Sequence, residues 1–387
     1  MMETGQVRDF AVGIEDSAIE DLRRRLAHAR LPEKETVEDW DQGIPLAYVE
    51  ELTAYWRDEY DMRRVGTVLS QWPNHLIAID GLDIHFLHIR SPEADATPLV
   101  MTHGWPGSVL EFADVIGPLT DPVAHGGKAE DAFHLVLPSL PGYGFSGKPE
   151  APGWSVLKIA MAWRALMAAL GYERFCAQGG DWGSAVTIAI GALAGENIDG
   201  DPCRGIHSNM VWVTPPDEVM ANPTEEEQAG LDRIAWYRTK DHGYSTQQST
   251  RPQTLGYALA DSPVGQMAWI VEKFHGWSDC GGHPENVYSR DRLLDNVMLY
   301  WLTNSAASSA RLYWESFNSG EMPQIHMPMG GSIFPKDILT PSRRWAEKTF
   351  RNIVYWNRLE QGGHFAAMER AELFVEELRA WQRAATG

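Results

Sequence analysis

The sequence predicts an α/β protein: a mostly parallel central sheet flanked by helices, with a helical cap and a helical N-terminal arm. Three observations carry that prediction. From about residue 76 onward, short apolar runs bounded by Gly, Pro or charged turns alternate with stretches of helical periodicity. Residues 215–323 break the alternation and are rich in Trp, Tyr, Gln and acidic residues. Residues 1–75 carry helical rather than strand patterning.

In the arm, Ile14, Ile19, Leu22, Leu26 and Leu31 recur at roughly helical spacing, Arg23, Arg24 and Arg25 fill part of the other face, and Pro32 ends the run. A second helix is expected over residues 46–69, with Tyr48, Trp56 and Tyr60, before the breaker Gln71-Trp72-Pro73-Asn74. Strands follow at 76–80 and 83–90, joined at Asp80-Gly81, then at 98–103 and 133–138. Helix 158–170, strand 175–178, helix 184–193 and strand 205–211 then alternate, as a parallel sheet requires. The interrupting stretch has helical patches at 264–274 and 290–304. Strands 325–334 and 352–359 resume the sheet with 341–350 between them, and an amphipathic helix begins near residue 371. The expected division is therefore an arm (1–75), a core in two parts (76–214 and 324–387) and a cap (215–323).

A chain of 387 residues with 44% hydrophobic and 22% charged residues can bury a large core. Lys+Arg 33 against Asp+Glu 53 gives a net charge of -20, which opposes binding to nucleic acid or to anionic membranes. No run approaches the roughly 18 apolar residues of a membrane span, and Met1-Met2-Glu3-Thr4-Gly5 lacks a signal pattern, so a soluble cytoplasmic protein is expected. Cys176, Cys203 and Cys280 are odd in number and far apart, which suits reduced thiols. They do not support a zinc site, and no cofactor or metal is expected.

Gly179-Gly180-Asp181-Trp182-Gly183 follows an apolar strand and precedes the small-residue helix starting at Ser184, which is the strand–turn–helix setting of a nucleophile elbow. Asp181 holds the nucleophile position, and the glycines two before and two after it relieve a turn too tight for side chains. A Gly-rich turn whose Asp only caps the next helix would explain this segment alone. Its partners argue for chemistry. His364, in Gln361-Gly362-Gly363-His364-Phe365, follows the last predicted strand, where such folds place a catalytic base. Asp337, in Ile333-Phe334-Pro335-Lys336-Asp337, ends the preceding strand and fits the acid; Asp217 and Glu218, after strand 205–211, are substitutes. His103-Gly104-Trp105-Pro106-Gly107-Ser108 follows the third core strand and fits an oxyanion loop, with the Trp105 and Trp182 amides as donors.

At these residues the chain resembles the epoxide hydrolases of the α/β-hydrolase fold, and more closely the microsomal type with a helical N-terminal epoxide-hydrolase region. The resemblance covers nearly the whole chain: besides the elbow and HGWPGS, it is carried by Trp40…Gly43, Asp80-Gly81-Leu82-Asp83-Ile84-His85-Phe86, Pro252-Gln253-Thr254-Leu255-Gly256, Asp261-Ser262-Pro263-Val264-Gly265 and Gly362-Gly363-His364-Phe365-Ala366-Ala367. It implies a two-step hydrolysis with Asp181 as nucleophile, His364 as water-activating base and Asp337 as its orienting acid. It also implies that Tyr244 and Tyr313 hold the epoxide oxygen. The chain begins almost directly at the arm, without the membrane anchor of the microsomal branch, which suits a soluble bacterial-style relative.

The chemistry fits the residue types. A serine opening an epoxide would form an ether that water and histidine cannot cleave, whereas a carboxylate forms an ester that His364-activated water can attack. Ring opening leaves an alkoxide, which a tyrosine proton relieves. The expected partners are a small hydrophobic epoxide, aryl or alkyl, and water; the sequence leaves a homodimer open. The rivals are a haloalkane dehalogenase using the same Asp nucleophile and a non-catalytic small-molecule receptor on the same fold.

Overall fold

The computed structural model describes residues 2–196, 198–317 and 323–386. Nine strands among these residues form one sheet: β1 (Arg8–Asp9), β2 (Asn74–Ile79), β3 (Leu82–Ile89), β4 (Thr97–Thr102), β5 (Phe133–Pro138), β6 (Phe175–Gly179), β7 (Cys203–Ser208), β8 (Met329–Ile333) and β9 (Ile353–Arg358). Their spatial order is β1-β2-β3-β5-β4-β6-β7-β8-β9. The β1 to β3 ribbon and the β3/β5 pair are antiparallel, and every pair from β5 to β9 is parallel. Helices cover both faces of the parallel part, so its strands read as continuous apolar runs: Leu99, Val100 and Met101 of β4 and Leu135, Val136 and Leu137 of β5 are fully buried. The expected fold class, a mostly parallel sheet flanked by helices, is met.

The differences are local and have physical causes. The arm is not wholly helical, because Arg8 and Asp9 pair with Leu76 and His75 and form an edge strand too short to show any periodicity. The first arm helix is Asp16–Ala27, shorter than the apolar spacing suggests. The helix expected over 46–69 divides into Leu46–Asp58 and Arg64–Leu69. Between them the Asp61 carboxylate accepts from the Arg63 N–H at 3.0 Å, a side-chain turn that competes with helical bonding. In 325–334, Ile325 makes only an isolated bridge to Phe350, and Pro328, without an N–H to donate, precedes the strand proper.

Between β7 and β8 the chain forms a series of helices, among them Gly243–Thr250, Pro252–Asp261, Pro263–Gly276, Arg290–Leu302 and Ala306–Ser316. Residues 318–322, at the end of the expected cap, lie outside the described residues. Helix Arg290–Leu302 is the keystone of this layer. On one side the arm grips it: Tyr60 donates to Asp295 at 2.7 Å, Arg64 reaches the same carboxylate at 3.1 Å, and the Trp56 indole points at Met298. On the other side it holds the 103–108 loop, with Asn296 donating to the Pro106 carbonyl and Tyr300 to the Gly107 carbonyl, both at 2.8 Å.

Candidate active site

The elbow after β6 is shaped by close backbone approach. A Cβ on Gly179 would stand 2.1 Å from the Gly183 carbonyl oxygen, and one on Gly183 would stand 1.8 Å from the Thr102 carbonyl oxygen. Neither neighbour is a side chain that can move aside, so both positions require glycine. Asp181 takes φ 51 and ψ -129 at the start of helix Trp182–Ala192, a conformation costing about 1–3 kcal/mol for a residue with a Cβ. That strain turns the carboxylate toward the 103–108 loop. Gly104 leaves room for it, since a Cβ there would lie 2.2 Å from the Asp181 Cβ.

The Trp105 N–H donates to Asp181 Oδ1 at 2.8 Å. The Trp182 N–H, first of its helix, has no hydrogen-bond partner among the described residues. His364, in the loop after β9, presents Nε2 3.4 Å from Asp181 Oδ2 and Nδ1 2.7 Å from Asp337 Oδ1. Its own N–H is held by the Trp277 carbonyl at 2.9 Å. Asp337, fully buried just after β8, also accepts from the Ile338 N–H through Oδ1 at 2.6 Å. Asp217 and Glu218, the substitutes, are exposed at the start of a short helix, while both ring nitrogens of His364 face Asp337 and Asp181.

Burial alone would push the His364 imidazole down. The Asp337 charge and the hydrogen bonds to Asp181 and Asp337 outweigh that cost and raise it to about 10. The two carboxylates of the resting site therefore favour the protonated imidazole. His103 has a different role: its Nδ1 faces the Gly104 carbonyl at 3.0 Å and its Nε2 faces the Leu140 N–H at 3.2 Å. Burial lowers it to about 4, so it is a neutral strut within the loop.

Tyr244 and Tyr313 are both buried, with ring centroids 5.9 Å apart. Trp105 stacks on Tyr244 at 4.9 Å, and Trp182 meets Tyr313 edge-on at 4.7 Å, so the two oxyanion-loop and elbow tryptophans buttress the two tyrosines. Burial first, then Tyr313 as a neighbour, raises Tyr244 well above the ordinary phenol range; burial and the Asp181 charge do the same for Tyr313. Both stay protonated and can donate. The Tyr313 hydroxyl has no well-formed hydrogen bond, with the Trp182 indole beside it. A cavity of about 470 Å³ contains Asp181, Trp182, Tyr244 and Tyr313, and Trp212, Phe317 and Leu339 are among its apolar walls. A separate cleft of about 350 Å³ between residues 149–154 and 250–254 contains none of the expected catalytic residues.

Thus the structure brings together all seven sequence-predicted residues: Asp181, His364, Asp337, Trp105, Trp182, Tyr244 and Tyr313. Two neighbours escaped the sequence reading. Tyr237 shares a hydrogen bond with Tyr244, hydroxyl to hydroxyl, at 2.9 Å. Trp277 packs its ring on His364 at 5.0 Å and on Tyr244 at 5.1 Å. The seven-residue separation of Tyr237 from Tyr244 could have suggested a shared face; Trp277 sits at a helix end and carries no such signal. Among the described residues no group of three or more His, Cys, Asp or Glu is arranged to hold a metal, and no helix is long and apolar enough to cross a membrane.

Comparison with known proteins bears on this geometry. Residues 7–112 match the family described as epoxide hydrolase N terminus, and residues 97–240 match the alpha/beta hydrolase fold. A Stigmatella aurantiaca protein named "Putative epoxide hydrolase" is 51% identical over 96% of this chain and 84% of its own length. Epoxide hydrolase 1 of Oryctolagus cuniculus is 32% identical over 97% of this chain and 89% of its own. The structure of Aspergillus niger epoxide hydrolase superimposes with a TM-score of 0.87 at 32% identity, covering 98% of this chain and 97% of that one. The juvenile hormone epoxide hydrolase of the silkworm Bombyx mori gives 0.89 at 28% identity, covering 99% and 95%. An Asp at the elbow, a paired histidine and two buried tyrosines thus sit in a chain that is alike from end to end to hydrolases of one kind: it belongs to the epoxide hydrolases of the alpha/beta-hydrolase fold.

Proposed function

We propose that this epoxide hydrolase opens a hydrophobic aryl or alkyl epoxide through a covalent ester on Asp181 and releases a vicinal diol. The observation that carries the reading is the Asp181 carboxylate, oriented by the Trp105 N–H and faced by His364 Nε2. In the first step an Asp181 oxygen attacks a ring carbon while Tyr244 and Tyr313 hold the oxirane oxygen and supply its proton. In the second, water loses a proton to His364 and attacks the ester carbonyl. The developing oxyanion is met by the Trp105 and Trp182 N–H groups.

The electrostatics support a change of role for His364 between the steps. A protonated imidazole is unable to act as a base, yet two anions hold the resting proton. Esterification removes the Asp181 charge, and with it part of what raises the imidazole. Asp337 then remains as the single carboxylate that orients Nδ1–H and stabilises the imidazolium as it re-forms. Residues 215–323 act in this scheme as the cap that carries the tyrosines, and the arm fixes that cap through helix Arg290–Leu302. The three cysteines are buried and unpaired, which is compatible with a reducing cytoplasm, where we take the enzyme to work.

The test is diol formation from a panel of racemic aryl and alkyl epoxides, with chiral analysis of the products, by wild type and Asp181→Ala. Wild type should form diol with an enantiomeric preference, and the variant none. Halide release from alkyl chlorides without diol from any epoxide would support the dehalogenase instead, and ligand binding without turnover of either would support a receptor.

A further inference from the structure

Lys273 is a buried cation for which the hydrolysis described above has no use. It lies on helix Pro263–Gly276, with Nζ 2.5 Å from Asp241 Oδ1 and 2.7 Å from Glu272 Oε2. The second Asp241 oxygen accepts from the Trp277 indole N–H at 2.5 Å. The same ammonium stands 4.9 Å from the centroid of the Tyr244 ring and 5.6 Å from that of Trp277. Burying such a pair returns little stability, because desolvation offsets most of the attraction. Burial also biases Glu272 toward its neutral form, against the opposing pull of Lys273. The acidic side chains in direct contact with the ammonium are Asp241 and Glu272.

We propose that Lys273 is a positioning residue for Tyr244: anchored by Asp241, its ammonium fixes the phenol ring and strengthens the hydroxyl as proton donor to the opening epoxide. The inference rests on Tyr244 acting as an acid. A cation near an aromatic face is attracted by the ring's electron density. That density rises as the phenol gives up its proton, so the contact is stronger in the ring-opening transition state than in the resting enzyme. In that step the Asp181 oxygen bonds to carbon, the C–O electron pair moves onto the epoxide oxygen, and this oxygen takes the Tyr244 proton. The phenolate regains its proton from the His364 imidazolium, which leaves the imidazole neutral to take the proton that water loses when the ester is hydrolysed.

The experiment is stopped-flow measurement of Asp181 alkylation, followed by tryptophan fluorescence, in Lys273→Met and Lys273→Arg. First-order rates report on folded molecules regardless of yield. Two substrates are compared, an alkyl oxirane and a trifluoromethyl oxirane, whose alkoxide needs less help from an acid. Lys273→Met should slow alkylation by about tenfold or more on the first and by threefold or less on the second, with ester hydrolysis changed less than twofold. Lys273→Arg should recover most of the rate. In a Tyr244→Phe background Lys273→Met should have no further effect. Unchanged alkylation in Lys273→Met, equal losses on both substrates, or a full loss persisting without the Tyr244 hydroxyl would each overturn the proposal. If Tyr244→Phe alone alkylates at the wild-type rate, the acid assignment falls, and the proposal falls with it. Should Lys273→Met fail to fold, Lys273→Gln combined with Asp241→Asn gives the same readings.

Discussion

Replacing Asp337 with Asn isolates the charge that the base relies on in the second step. The change is nearly isosteric. Oδ1 can keep its bonds to the Ile338 N–H and to His364 Nδ1, while the amide nitrogen would replace Oδ2, which is buried without a partner. What disappears is the negative charge. For charge centres about 4 Å apart at an effective dielectric near 20, the lost attraction to the imidazolium is about 4 kcal/mol. Both side chains are almost completely buried, so solvent screens little of it. The imidazolium forms as water attacks the ester, so this energy is missing from the second transition state and hydrolysis should slow by about 10³-fold. Alkylation should slow far less, since it requires the Asp181 carboxylate and not a basic His364. Rapid quench followed by intact-mass measurement separates the two rates and should find the ester accumulating in Asp337→Asn. A hydrolysis rate within threefold of wild type would refute the reasoning and leave the acid role to another group. The buried, unpaired amide also costs stability, about 1–3 kcal/mol, readable as a lower Tm.

Three further outcomes follow from the same geometry. Tyr244→Phe and Tyr313→Phe should each slow alkylation by about 10–100-fold and together by about 10²–10⁴-fold, with ester hydrolysis nearly unchanged; a double variant alkylating like wild type would remove the tyrosines from the mechanism. Gly183→Ala sets a Cβ against the Thr102 carbonyl and should cost about 3 kcal/mol or more, seen as a depressed Tm and lost activity, whereas a fully stable and active variant would contradict the elbow geometry. Because His364 is raised from about 6.5 unfolded to about 10 folded, its contribution to stability is complete below pH 6.5 and disappears as pH rises through 10. Chemical denaturation should therefore find wild type losing stability across that window and His364→Gln losing less; parallel curves would show that the imidazole is not held protonated.

The sequence displayed the chemistry more clearly than the architecture around it. Asp181, His364 and Asp337 were legible because each follows a strand where the backbone needs glycine or a tight turn, and such turns leave compositional marks. The 103–108 loop was legible for the same reason. The tyrosines were not: a tyrosine on a helix usually packs, and Tyr244 and Tyr313 stood out only through family resemblance. Their supports were hidden more deeply, because the Trp105 and Trp182 rings that brace them come from segments over 60 residues away in the chain. Nothing local in the sequence marks Lys273 as buried or pairs it with Asp241. Edge strand β1 and the break at Glu59–Arg63 were missed where two residues, or one side-chain turn, decide the structure against a longer periodic pattern.

The account depends most on a covalent bond between substrate and Asp181. Incubating His364→Gln with a turned-over epoxide and measuring intact mass, then locating the modified peptide, tests that bond directly. The expected result is a stable increase equal to the mass of one epoxide, mapped to Asp181 and absent in Asp181→Ala. No adduct with an epoxide that wild type converts to diol, or an adduct on another residue, would contradict it.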